Sequence, residues 1–157
     1  MNNNINSFIN LLLKTIEEDK VFVMPINGTS MLPFLDSSKK VKLKKVESLK
    51  KGEMYFYKRD NGQYVLHRLI KIKNDNLIFR GDNQFINEND IKDTQIIAKV
   101  IGIIDENGNI NNLSSLSYKI YVCIMRNIFF KKVYFKLRRI FKKWKRKKRS
   151  SYQFLLF

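Results

Sequence analysis

Ser30 stands where a hydroxyl could do chemistry. It follows the apolar run VFVMPI, in Asn27-Gly28-Thr29-Ser30-Met31-Leu32-Pro33, where glycine and proline favour a rigid, exposed turn. A serine hydroxyl is a weak nucleophile and needs a neighbouring base. The chain has a single histidine, His67, inside QYVLHRLIKI. With an ordinary pKa of about 6.5, an imidazole can accept a proton at neutral pH. A carboxylate on its other nitrogen would fix the tautomer and stabilise the imidazolium. Asp82, in Phe79-Arg80-Gly81-Asp82-Asn83-Gln84, is one candidate, and Glu88, Asp90 and Asp93 follow it. Each piece also has a plain reading: a turn serine, a histidine satisfied inside a sheet, a solvated Asp-Asn turn.

Other chemistries find little to work with. Cys123 is the only cysteine, so no internal disulfide can form. One cysteine and one histidine do not make an ordinary zinc site. The sequence has no P-loop, GxGxxG or HExxH pattern. No metal and no cofactor are expected.

Positioning Ser30 and His67 falls to a strand-rich body. Val65, His67 and Leu69 share one face of a strand, while Tyr64, Leu66, Arg68 and Ile70 share the other. MYFYKR, the turn Asp60-Asn61-Gly62 and QYVLHRLIKI read as a hairpin. VFVMPI, the alternating VKLKKV, LIFRG after Asn74-Asp75-Asn76, and QIIAKVIGII closed by Asn107-Gly108 read as further strands. Short strands separated by turns predict a mostly β sheet, curled or barrel-like. Ahead of it, Asn6 to Glu18 places Phe8, Leu11, Leu12 and Ile16 near helical spacing. This helix is expected to pack on the core as a lid, with a membrane-facing role as the alternative. From Leu116 to Arg149, Ile120, Ile124, Ile128, Val133, Leu137, Ile140, Phe141 and Trp144 approximate one helical stripe. The fold class is therefore α+β. It divides into an N-terminal amphipathic helix over 1–20, a body over 21–112 and a basic helical tail over 113–157.

Four short boxes give the body a resemblance. They are Gly28-Thr29-Ser30-Met31-Leu32-Pro33, Lys51-Gly52-Glu53-Met54 leading into Tyr55-Phe56-Tyr57, His67-Arg68-Leu69-Ile70, and Gly81-Asp82-Asn83. In that order, over residues 21–104, the chain resembles the signal peptidase I and LexA-like serine peptidases. Many of those peptidases use a lysine base. A histidine before Arg68 looks like the Ser/His variant of endoplasmic-reticulum-type signal peptidases. The resemblance implies a LexA/signal-peptidase-like fold, Ser30 as nucleophile and His67 as general base. It implies that Asp82 or a later acid orients His67; in the Ser/His relatives that acid lies several residues beyond the Gly-Asp-Asn box, near Glu88 or Asp90 here, and Asp90 is preferred. The N–H of Ser30, with Gly28 or Thr29, would form the oxyanion hole, and Met31 and Pro33 would border the substrate. Gly28 is a departure, because many relatives carry a hydroxyl residue there.

The net charge of +17 is unevenly placed. All 14 acidic residues lie in the first 116 residues, beside 17 Lys and Arg, and the remaining 14 Lys and Arg follow from Ser117 onward. A basic amphipathic tail with Phe and Trp suits an anionic membrane surface, and its apolar stripe favours that partner over nucleic acid. The closing SSYQFLLF is short and apolar, an added anchor or a loose end. No apolar run reaches the roughly 18 residues of a membrane-spanning helix. The start lacks the features of a secretory signal, and the stretch before Val21 is too short for a helix-turn-helix unit. Together these readings predict a serine endopeptidase that removes a leader or signal segment from an exported peptide or preprotein. It would be peripheral to the membrane on the cytoplasmic side, or cytoplasmic, and could work beside an export transporter. The alternative is a non-catalytic module of the same fold that binds a peptide, an anionic membrane or nucleic acid.

Overall fold

The computed structural model describes residues 2–74 and 76–153. In chain order they form α1 (Asn2–Glu17), β1 (Phe22–Pro25), β2 (Lys40–Lys44), β3 (Met54–Lys58), β4 (Tyr64–Lys73), β5 (Asn76–Arg80) and β6 (Glu88–Ile91). A short 3-10 turn at Asp93–Gln95 leads to β7 (Ile96–Ile104), β8 (Ile110–Asn112), α2 (Leu116–Arg126) and α3 (Ile128–Gln153). All strand pairs are antiparallel, in the order β1-β2-β7-β3-β4-β5-β6, with β8 also on β7. The sheet is open, with β1 and β6 at its two ends. The α+β class is as expected, and the sheet does not close into a barrel.

The expected hairpin is β3-β4. Tyr55 lies opposite His67 and Tyr57 opposite Val65. Its turn closes by the Arg59 N–H donating to the Gln63 carbonyl at 2.8 Å. Gly62 takes φ +83°, a conformation that costs a glycine little. β6 and β8 are the strands that sequence patterning did not anticipate. Both are short, and ENDI has no apolar alternation to announce it.

Two hydrophobic clusters cover the two faces. Met24, Val41, Leu43, Phe56 and Val100 pack together with Ile9, Leu12 and Ile16 of α1. Tyr55, Tyr57, Leu69, Leu77, Phe79 and Ile91 form the other. β3 is buried along MYFY because Met54 and Phe56 feed one cluster while Tyr55 and Tyr57 feed the other. α1 is thus a lid on the core. Its Leu12 is wholly buried, a burial that contributes about 1.5–3 kcal/mol. Phe8 meets Phe22 edge to face at 5.2 Å. Leu11, grouped with the buried stripe by spacing, faces solvent instead, and Ile9 takes the inner position.

The chain forms two compact units, Met1–Lys119 and Ile120–Phe157. In the second, the single stripe expected from Leu116 to Arg149 is broken. Asn127 Oδ1 accepts from the N–H groups of Phe129 (2.9 Å) and Phe130 (3.3 Å), which caps α3 and ends α2. The break falls between Ile124 and Ile128, so Ile120 and Ile124 lie on α2 while Ile128, Val133 and Leu137 lie on α3. Residues 154–157, the end of SSYQFLLF, lie outside the described residues.

Candidate active site

After β1 the chain passes through Gly28, at φ +94°, and reaches a half-buried Ser30. The turn is held from behind by the segment after β5. The Asn83 N–H donates to the Ser30 carbonyl at 2.7 Å, and Asn83 Nδ2 donates to the Thr29 carbonyl at 3.1 Å. Gly81 comes so close that a Cβ there would sit 2.6 Å from the Ser30 carbonyl oxygen. Only glycine fits that approach. A Gly81→Ala variant is expected to displace the Ser30 turn and destabilise the fold by about 1–3 kcal/mol, the usual cost of overpacking. A thermal melt against the wild type would check it.

Asp82 serves the same turn from within. Its two carboxylate oxygens accept from Arg68 Nε (2.8 Å) and Nη2 (2.6 Å). Both residues are almost wholly buried. Arg68 Nη1 also donates to the Gly52 carbonyl at 2.6 Å and to the Tyr118 hydroxyl at 3.1 Å. Burial opposes the Arg68 charge, but the Asp82 carboxylate outweighs it and holds the guanidinium pKa above its ordinary value. The ion pair ties the Gly81-Asp82-Asn83 turn to β4, and that turn carries Ser30.

His67 points to the other face of β4 and is 1% exposed. Its Nδ1 lies 2.9 Å from Glu88 Oε1 and 3.2 Å from the Tyr57 hydroxyl. Tyr57 gives its own proton to Glu88 Oε2 at 2.8 Å. Nδ1–H is therefore the donor to Glu88, and the lone pair falls on Nε2. Arg59 holds Glu88 in turn: its Nε donates to Oε2 at 2.8 Å, and Nη2 pairs with Oε1. Burial opposes ionisation of Glu88, yet hydrogen bonds from Arg59 and Tyr57 hold its pKa below the ordinary value. Burial pushes His67 down to about 4 against the pull of Glu88, so the imidazole is neutral at pH 7. Between pH 4 and about 6.5 the unfolded chain binds this proton and the native one does not. His67 therefore makes the fold less stable as pH falls through that window.

The sequence candidates separate into two groups. The carboxylate on His67 is Glu88. Asp82 is taken by Arg68. Asp90, which the resemblance favoured, is exposed at φ +61° and borders a depression with Lys73 and Asn76 at the far end of β4. The β5–β6 pairing explains the difference. Phe79 faces Glu88 while Leu77 faces Ile91, and the irregularity between them turns Asp90 away. Among the described residues no hydrogen bond joins Ser30 to His67. Sequence reasoning missed Tyr57 and Arg59. The hairpin turn held the signal, since it sets Tyr55 opposite His67 and so puts Tyr57 on the same face.

Ser30 opens onto a cavity of about 530 Å³, lined by Phe8, Met24, Ile26, Met31, Phe56 and Leu66 among others. Gly28 lines it as well, whereas Pro33, after a cis Leu32–Pro33 bond, does not. β1, which supplies Met24 and Pro25 to the wall, is the end strand of the sheet. A peptide could add to that edge beside Ser30. Among the described residues no group of His, Cys, Asp and Glu could hold a metal ion.

No curated protein matches the chain significantly. A family model described as Peptidase S24-like matches residues 1–101, which include Ser30, His67, Asp82 and Glu88. With that match over most of its length, on a serine-peptidase-type fold, the chain belongs to the Peptidase S24-like family.

Proposed function

We propose that the protein is a serine endopeptidase that cuts an extended leader or signal segment. Ser30 Oγ attacks the scissile carbonyl carbon and gives its proton to His67 Nε2. The imidazolium then protonates the leaving amine, and water hydrolyses the acyl-enzyme by the same route. The Ser30 N–H, with that of Gly28 or Thr29, receives the oxyanion. The observation that carries this reading is the Glu88 carboxylate on His67 Nδ1, held by Tyr57 and Arg59. Such a carboxylate fixes the tautomer a general base needs and stabilises the imidazolium once it forms. The substrate runs antiparallel to β1 and drops an apolar side chain into the cavity beside Ser30.

The chemistry requires Ser30 Oγ to come within about 3 Å of Nε2 when substrate is bound. The lack of a Ser30–His67 hydrogen bond among the described residues favours one other reading, a family member that holds a leader without cutting it. One experiment separates them. The full chain is incubated with a diverse peptide library, and new termini are read by mass spectrometry. Cleavage by the wild type that disappears in His67→Ala supports the peptidase; intact peptides with the wild type favour the binder. On a cleaved peptide, the acid limb of kcat/KM is expected near pH 4, not 6.5, because burial keeps His67 neutral. In Glu88→Gln the limb should move lower still, since the carboxylate charge raises the His67 pKa. A limb at 6.5 in the wild type would show that His67 is not the base in its buried state.

A further inference from the structure

α3 leaves its apolar residues outside. Phe130, Val133, Leu137, Ile140, Phe141 and Trp144 recur at spacings of three and four, apart from the adjacent Ile140–Phe141 pair, and so share one side of the helix. Phe141 is 61% exposed, Ile140 54% and Trp144 53%. Lys132, Lys136, Arg139, Lys143 and Arg146 repeat at the same spacings on the opposite side. No acidic residue interrupts the helix. None of the described helices is long and apolar enough to cross a membrane.

We propose that α3 lies in the surface of an anionic lipid bilayer and holds the protein there. Two features select this partner. The basic side needs a polyanion, and the apolar side needs a medium that accepts aromatic and aliphatic side chains; a bilayer of acidic lipids supplies both at one boundary. Nucleic acid would meet the charge and leave the apolar side in water. A second copy of α3 would cover the apolar side but bring two helices without a single carboxylate against each other. Lys and Arg beside the stripe can lay their methylenes along the acyl boundary while the charges reach phosphate. The inference is independent of Ser30 chemistry.

Trp144 is the only tryptophan in the chain, so its fluorescence reports α3 directly. The full-length protein is titrated with vesicles of phosphatidylcholine containing phosphatidylserine, and separately with phosphatidylcholine alone. A blue shift of Trp144 emission is expected with the acidic vesicles, with binding at least about tenfold tighter than to the neutral ones. Brominated acyl chains should quench the shifted emission. Phe141→Ser with Leu137→Ser, both on the exposed side, should weaken binding by about tenfold or more. Co-sedimentation without a blue shift would overturn the proposal, since charge alone would then hold the protein. So would a DNA duplex that binds more tightly than acidic vesicles, or a lipid-free dimer with Trp144 already shielded.

Discussion

Replacing Ser30 by Ala should lower cleavage by about 10⁴-fold or more while leaving the melting temperature unchanged. The size follows from the chemistry. Without Oγ no acyl-enzyme forms, and the remaining binding and oxyanion contacts leave only a small residual rate. The unchanged stability follows from the position. Ser30 is half-buried, and its turn is held by its carbonyl and by that of Thr29, not by its hydroxyl. Small substitutions at such sites usually stay within about 0.5 kcal/mol. Undiminished cleavage by Ser30→Ala would move the nucleophile elsewhere. Loss of cleavage together with loss of fold would show that the turn depends on the hydroxyl after all.

The largest stability effect should come from Asp82→Asn, with a loss of about 3–5 kcal/mol in urea unfolding. The substitution keeps the shape and removes the charge. Arg68 would then remain ionised and buried without its carboxylate, because a guanidinium does not give up its proton. Replacing both partners by apolar residues of matched volume should cost much less than either single change. The two experiments distinguish a structural ion pair from a catalytic acid. If Asp82 oriented His67, its loss would change the pH limb before it changed stability. A loss below about 1 kcal/mol with an altered pH limb would make Asp82 the acid that orients His67.

The local parts of this site were legible in the sequence, and the long-range parts were not. A serine in a Gly/Pro turn after an apolar run, one histidine in a strand, and a Gly-Asp-Asn turn could each be read from neighbours in the chain. The hairpin was legible because Asp60-Asn61-Gly62 stands between two β-rich runs. The choice of acid was not. It depends on an irregular pairing of β5 with β6, where three residues on one strand, Leu77 to Phe79, span four on the other, Glu88 to Ile91. Counting along the chain cannot register that irregularity, which is why it puts Asp90 ahead of Glu88. The role of Asp82 was hidden likewise, since its partner Arg68 is fourteen positions away. In the tail, a periodic stripe concealed Asn127, whose side chain caps α3 and divides what spacing alone joins.

An open sheet has a cost that a closed barrel avoids, because both end strands expose unpaired backbone to other copies of the chain. The two ends here limit stacking in different ways. β6 carries Glu88 and Asp90 in four residues and is bent by the left-handed Asp90. Charge and curvature both discourage a flat neighbour. β1 is four residues long and ends in Pro25, which has no N–H to offer a partner. An edge so short can grip a few residues of an extended peptide and let go of them. It offers too little ladder for chains to join end on end into fibres, so the strand proposed to receive substrate is also a poor site for polymerisation.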